Sequence, residues 1–304
     1  MLPLYSATQR YSGHEEIDMK LMIRAHDLGV KGENEVACAV RENDLDGVQL
    51  VVYKCTSDVK YEPGSITDSR ASEIGKALRE GGLQIPLIGA YFNPVHPNTE
   101  KIDRGIKIFK DYLDVAVAIG CETVGSETGS YNGEPWIYHP MNHSDEAIDR
   151  VVETFRDLAD HAAKRGVKIA MEGAFGHVCH TPDRLYEAVA RIGRDNIRII
   201  FDLYNYLDIS NVDHAYEILD RGLELFGDRI LLFHVKDFVI KDGRLQQCGV
   251  GRGVLDYDII LRRIHNYNPN AILVLEGTVG DDIGYAVSYL RKKINEINQP
   301  ERND

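Results

Sequence analysis

Several features that would place a chain in a common class are scarce or missing here. The 304 residues include five cysteines, Cys38, Cys55, Cys121, Cys179 and Cys248, an odd number with no CxxC pair. They offer neither a disulfide framework nor a zinc-finger spacing, and read as reduced thiols of a cytoplasmic protein. No stretch approaches the ~18 apolar residues of a membrane span. The N-terminal MLPLYSATQRYSGHEE has no basic start followed by an apolar run. The expectation is therefore a chain that neither spans a membrane nor is secreted. Positive charge is also in deficit, with 35 Lys+Arg against 48 Asp+Glu and a net charge of −13. Affinity for a phosphate backbone comes from Lys and Arg displacing counterions, so general nucleic-acid binding is disfavoured. Neither GxGxxG nor GxxxxGK[ST] follows the first apolar run, which removes the usual nucleotide signatures. No linker, low-complexity tract or break in composition divides the chain.

What the chain has is an alternation of short apolar runs and longer segments with helical spacing. After Ser144 as N-cap, Ile148, Val151, Val152, Phe155, Leu158, Ala159 and Ala162 follow an i, i+3, i+4, i+7 stripe that stops at Gly166. VKIAME follows as a strand, then Thr181-Pro182 opens a helix that closes at Gly193. The unit repeats as IRIIFD, a helix over Ala215–Phe226, RILLFHVKD, a helix over Tyr257–Asn266, AILVLEG and a helix over Asp282–Ile297. Upstream the same rhythm runs through KLMIRAH, Asn34–Asn43, GVQLVVY, Ser69–Gly81, IPLIGAYF, Asp103–Ile119 and ETVGSE. Eight near-continuous apolar strands, each followed by a helix, predict an α/β fold: a single (β/α)8 TIM barrel over residues 1–304. A doubly wound open sheet is the alternative, since periodicity does not prove closure.

Barrels of this kind work at the C-terminal ends of their strands. Four consecutive strands end in polar residues there: VKIAME in Glu172, IRIIFD in Asp202, ILLFH in His234 and AILVLE in Glu276. Alternation along a strand puts Glu172 on the face of Ala170, Asp202 with Ile200, His234 with Leu232 and Glu276 with Val274. If that face points inward, three carboxylates and an imidazole converge at the mouth. Such carboxylates repel one another unless a cation compensates, and an O,O,N,O set suits one divalent ion. Manganese is the first choice, with Mg²⁺, Zn²⁺ or Co²⁺ as alternatives.

The chain resembles the xylose isomerase-like TIM barrels, in particular their sugar and sugar-phosphate isomerase/epimerase branch. The resemblance is carried by MEG around Glu172, FDLYN around Asp202, FHVKD around His234, GVGRGVLDY over Gly249–Tyr257 and LVLEG around Glu276. It implies that Glu172, Asp202, His234 and Glu276 bind one divalent metal and that Glu172 and Glu276 act as acid and base. The implied activity is a metal-dependent isomerase or epimerase of carbohydrate metabolism that works through an enediolate. A lyase of the inosose-dehydratase type and a non-catalytic sugar-binding barrel are the alternatives. Many epimerases of the family carry Asp-x-x-His after this strand, with the histidine on the substrate, whereas here the position is Asn205. A nuclease relative would need further histidines for three metals.

The expected partner is a small sugar, polyol or sugar acid, with no nucleic acid or membrane and with association into a homo-oligomer. Substrate-side candidates are Arg252 in the loop GVGRG, whose backbone and guanidinium suit an anionic group, and Lys236, two residues beyond His234 on the same face. Asn205, His177 and His96 are further candidates, each with a plain structural role as the competing reading. His26, Glu127 and His180 lie in comparable loop or strand-end positions. The loop 128–143 holds Tyr131, Trp136 and Tyr138 and is a candidate lid whose rings would stack on a sugar.

Overall fold

A computed structural model describes residues 19–133 and 137–298. In chain order the elements are β1 (Lys20–Arg24), α1 (Glu33–Glu42), β2 (Gly47–Leu50), a helical turn α2 (Val52–Cys55), α3 (Asp68–Glu80), β3 (Gln84–Gly89) and α4 (Thr99–Ile119). They continue as β4 (Thr123–Glu127), α5 (Asp145–Ala163), β5 (Lys168–Glu172), α6 (Pro182–Ile192), β6 (Ile197–Asp202), α7 (Ala215–Phe226) and β7 (Ile230–Val235). The last are β8 (Asp237–Lys241), β9 (Arg244–Cys248), α8 (Tyr257–Tyr267), β10 (Ile272–Leu275) and α9 (Asp282–Asn298). Eight strands, β1 to β7 and β10, form a closed parallel barrel sealed by β1 against β10.

Local chemistry sets the helix ends. Ser144 accepts from the Ala147 N–H and Thr181 from the Arg184 N–H, while Pro182 occupies a first-turn position that lacks a partner in any helix. Gly193 ends α6 at φ 65°, a left-handed conformation that glycine adopts without a Cβ penalty. On α5 the whole predicted stripe from Ile148 to Ala162 is buried.

Two apolar layers result. The outer one lies between sheet and helices. The inner one is a plug of Met22, Leu87, Ala170, Ile200, Leu232 and Val274, all fully buried inside the ring. At Gly125 a Cβ would stand 3.0 Å from both Ile200 Cδ1 and Leu87 Cδ1, so β4 yields its inner place to its neighbours' side chains. The plug matters for the site because a residue two places further along each strand must also face inward, at the mouth.

Two expectations need correction. GVQLVVY leaves the sheet after Leu50, and Val52–Cys55 coils into α2. The run is apolar because both conformations are buried, so composition did not mark the change. RILLFHVKD is also not one strand: β7 ends at Val235, and Asp237 begins an antiparallel hairpin of β8 with β9.

Candidate metal centre

Stepping two residues from the plug leads from Ala170, Ile200, Leu232 and Val274 to Glu172, Asp202, His234 and Glu276. One ligand atom from each of these four lies within 4.8 Å of all the others. His234 Nδ1 stands 2.7 Å from Glu276 Oε2, 3.1 Å from Glu172 Oε1 and 3.6 Å from Asp202 Oδ2. Its Nε2 donates to Gln49 Oε1 at 2.6 Å, and since that oxygen only accepts, Nδ1 is the nitrogen directed at the carboxylates.

Each carboxylate is held by one oxygen. Asn205 Nδ2 donates to Glu172 Oε1 at 2.8 Å, the Asn205 backbone N–H donates to Asp202 Oδ1 at 3.0 Å, and Arg24 Nη1 donates to Glu276 Oε1 at 2.8 Å. Arg24 is itself fixed by Asp27, which also accepts from the Gly277 N–H. Lys236, 5% exposed, places Nζ 2.9 Å from Asp202 Oδ2 and 2.8 Å from Glu276 Oε1, and donates to Asn205 Oδ1.

Charge is crowded here. Burial pushes the Glu172 carboxyl up and His234 only partly offsets it. Burial alone would lower His234, but Glu276 and Glu172 outweigh it and raise the imidazole well above its usual value. Burial would likewise raise Glu276, but Lys236, His234 and Arg24 hold it well below the carboxylate range. Glu127 reaches the mouth from β4, and its withdrawal from water together with the Glu276 charge pushes its carboxyl up to about 7.

The donor set fits a divalent cation. Asp202 Oδ2 and Glu276 Oε2 are buried oxygens that accept no hydrogen bond. Lys236 and His234 come within ion-pair distance of them, at 2.9 and 2.7 Å. Three hard oxygen donors and one imidazole nitrogen converging on one point suit Mn²⁺, Mg²⁺ or Zn²⁺.

Lys236 and Asn205 are thus brought against the four residues. Arg252 is not: it is half-exposed, 3.5 Å from Asp282 Oδ1, with its guanidinium 3.5 Å from the Tyr285 ring centroid. The glycine-rich loop does approach an anion, but that anion is internal. Asp237 accepts from the N–H groups of Phe238, Gly251, Gly253 and Leu255. His177 is buried in the loop after β5. His96 is buried after β3 and lines a cavity of about 320 Å³ with Tyr91. His180 stacks on His143 at 3.9 Å. Trp136 lies outside the described residues. The described part of loop 128–143 is tied down by Asn93, which donates to Ser130 O and Asn132 O, and by Asn142, which donates to Gly176 O.

Sequence reasoning missed Gln49, Arg24, Asp27 and Tyr91. Gln49 offered a signal, a polar side chain inside the apolar run GVQLVVY, where burial demands a partner. Tyr91 receives the Gln49 Nε2 hydrogen bond at 2.6 Å. Its ring lies over Gly89, where a Cβ would come 2.6 Å from Cε2.

The family model of the xylose isomerase-like TIM barrel matches residues 38–293, and the chain belongs to that family. None of the curated proteins matches it. Among solved structures, a D-tagatose 3-epimerase-like protein aligns with a TM-score of 0.72 at 17% identity, covering 92% of this chain and 98% of its own. A xylose isomerase-like TIM barrel protein from Mycobacterium smegmatis, in complex with magnesium, gives 0.65 at 16%, covering 88% and 89%. The Bacillus anthracis protein described as "probable 3-DHS dehydratase AsbF" gives 0.65 at 13%, covering 90% and 98%. At these identities the likeness is one of fold.

Proposed function

We propose that the protein is a divalent-metal-dependent isomerase or epimerase of a small sugar, polyol-derived ketone or sugar acid. The observation that carries the reading is the convergence of Glu172, Asp202, His234 and Glu276 within 4.8 Å, three carboxylates crowded around one buried imidazole. These four side chains would hold the cation, which supplies a Lewis acid for polarising a carbonyl. A set rich in carboxylate with a single imidazole favours Mn²⁺ over softer choices.

The protein's own groups supply the rest. Glu172 and Glu276 stand on strands separated in the ring by β6 and β7, so they approach a bound carbon from different sides. One removes the proton beside the carbonyl and the other returns it. Return to the opposite face is epimerisation, and return to the neighbouring carbon is aldose–ketose isomerisation. Lys236 Nζ, between Asp202 and Glu276, sits where it can donate to the oxygen that gains charge as the proton leaves. Asn205 keeps Glu172 oriented, taking up at this position a role inside the protein.

The test is exchange of a carbon-bound proton with deuterated water, followed by NMR over ketoses, keto-sugar acids and inososes with Mn²⁺, Mg²⁺ or Co²⁺. Exchange that depends on the metal is expected, and E276Q should slow it about 10²–10⁴-fold, the usual contribution of a positioned acid or base. No exchange on any substrate, or near-normal turnover by E276Q, overturns the reading. New ultraviolet absorbance from an unsaturated product would instead identify loss of a β-hydroxyl and a lyase.

A further inference from the structure

Two cavities adjoin the centre, one through Asn205 and one through Tyr91, and they differ in charge. The Asn205 side, about 410 Å³, carries one charge of each sign, Asp208 and Arg244, among Ile137, Leu207 and Ile209. The Tyr91 side, about 320 Å³, is walled by Tyr53, Tyr61 and Tyr91 and carries His96, Lys101 and Arg104, with no carboxylate in its lining. In a chain of net charge −13 a cavity furnished only with cations and neutral groups is a local inversion.

We propose that the Tyr91 cavity is the subsite for an oxyanion, a carboxylate or phosphate, at the far end of the substrate. His96 is the second observation. It is 7% exposed, and its Nδ1 accepts from the Asn98 N–H at 2.8 Å, so the ring proton is on Nε2. That buried Nε2–H has no acceptor among the described residues. A buried donor without a partner is costly, and an oxyanion oxygen is the acceptor it lacks. Lys101 and Arg104 face the cavity with no acidic partner in its wall. Arg104 is steadied by donating to the Tyr61 carbonyl, with its guanidinium 5.7 Å from the Tyr61 ring centroid. The tilted pair Tyr53–Tyr61, centroids 5.0 Å apart, gives a carbon chain two ring faces to lie on.

Reach between the two sites is short in bonding terms. Tyr91 is wall to the cavity and also accepts from Gln49, which accepts from His234, each at 2.6 Å. The Tyr91 phenol also lies in the field of Glu172 and Glu276, so a substrate with its carbonyl at the centre would lay its tail past Tyr91 toward His96, Lys101 and Arg104.

The inference rests on the isomerase reading for the other end of the substrate, so its test uses binding. Glycerol 3-phosphate, glycerate and glycerol are titrated by calorimetry into the metal-loaded full chain, and metal affinity is measured separately. Tighter binding of either anion than of glycerol is expected, and the stronger of the two names the group. K101M and R104M, both at exposed positions, should each weaken the anion about tenfold, one charge-assisted contact, with metal affinity unchanged. H96Q should do the same. Equal affinity for all three probes, or an anion preference that survives K101M and R104M, overturns the subsite. Absent deuterium exchange with the preference intact would overturn the isomerase reading alone.

Discussion

Gln49 reads His234 from behind. By accepting from Nε2–H it settles which imidazole nitrogen carries a proton and so which one is offered to a cation. Replacing it with leucine keeps the volume and removes the acceptor. Q49L should lower Mn²⁺ affinity about 10–100-fold by titration and, by leaving the buried His234 Nε2–H without an acceptor, should also cost about 1–3 kcal/mol of stability. At this scale the sequence was legible where a polar residue ends an apolar strand, as at Glu172, Asp202, His234 and Glu276. Gln49 sits inside its run and Arg24 at the edge of one, and neither position says that the side chain is spent on a histidine or a glutamate far along the chain. Asn205 was legible as a departure from the family pattern, but its two side-chain hydrogen bonds, to Glu172 and from Lys236, depend on the ring bringing β5, β6 and β7 together.

Among elements, the hairpin of β8 and β9 is the one that alternation of strand and helix does not foretell. Its turn had a signature nonetheless: Asp242 and Gly243 have φ of 51° and 69°, the double positive pair of a tight hairpin turn. The reading RILLFHVKD carried β7 through to Asp237, the first residue of β8, and left the rest of the hairpin unassigned, because a strand–helix alternation has no place for an antiparallel pair between β7 and its helix. The hairpin braces the site, since Gln247 Nε2 donates to the Glu276 backbone carbonyl at 2.8 Å. The loop that follows is built around Asp237, and at Gly253 a Cβ would stand 2.1 Å from Asp237 Oδ1. D237N turns an amide NH₂ toward N–H donors and should cost about 3 kcal/mol, read as a lower denaturant midpoint. Because Tyr257 Oη donates to the Lys236 carbonyl, the same change should also disturb the lysine at the mouth. The helices were the easiest elements to read, since Ser144, Thr181-Pro182 and Gly193 each satisfy backbone groups that a helix end leaves open.

For the whole molecule, the outer ring carries its own pH dependence, away from the site. Arg70 on α3 pairs with Glu33 on α1 at 2.7 Å and with Asp58 at 2.7 Å. The Arg70 hydrogen bond holds Glu33 below its usual 4.5. A carboxyl depressed in the folded state contributes stability above its unfolded pKa and loses it as pH falls through the folded one. R70M should therefore cost about 1 kcal/mol at neutral pH, and the gap to the unaltered protein should close in acid below Glu33's folded pKa. Urea melts at pH 7, 4 and 2.5 would show it; a gap that stays constant would mean the pair contributes nothing through charge. Barrel closure itself was the part that composition could not supply, because it depends on the pairing of Lys20 with Ile272 and its successors.

That seam orders events in time. All four candidate ligands lie between Glu172 and Glu276, so a growing chain has made β1 to β4 before the first of them exists. The last, Glu276, is oriented by Arg24 from 252 residues earlier, across the joint between β1 and β10. An open ring would thus present three ligands and a misdirected fourth. The four candidate ligands all stand on β5, β6, β7 and the end of β10, on one side of the joint, so it is the Arg24–Glu276 contact that ties the end of the barrel to its beginning, and the cluster takes its final shape only when the ring shuts.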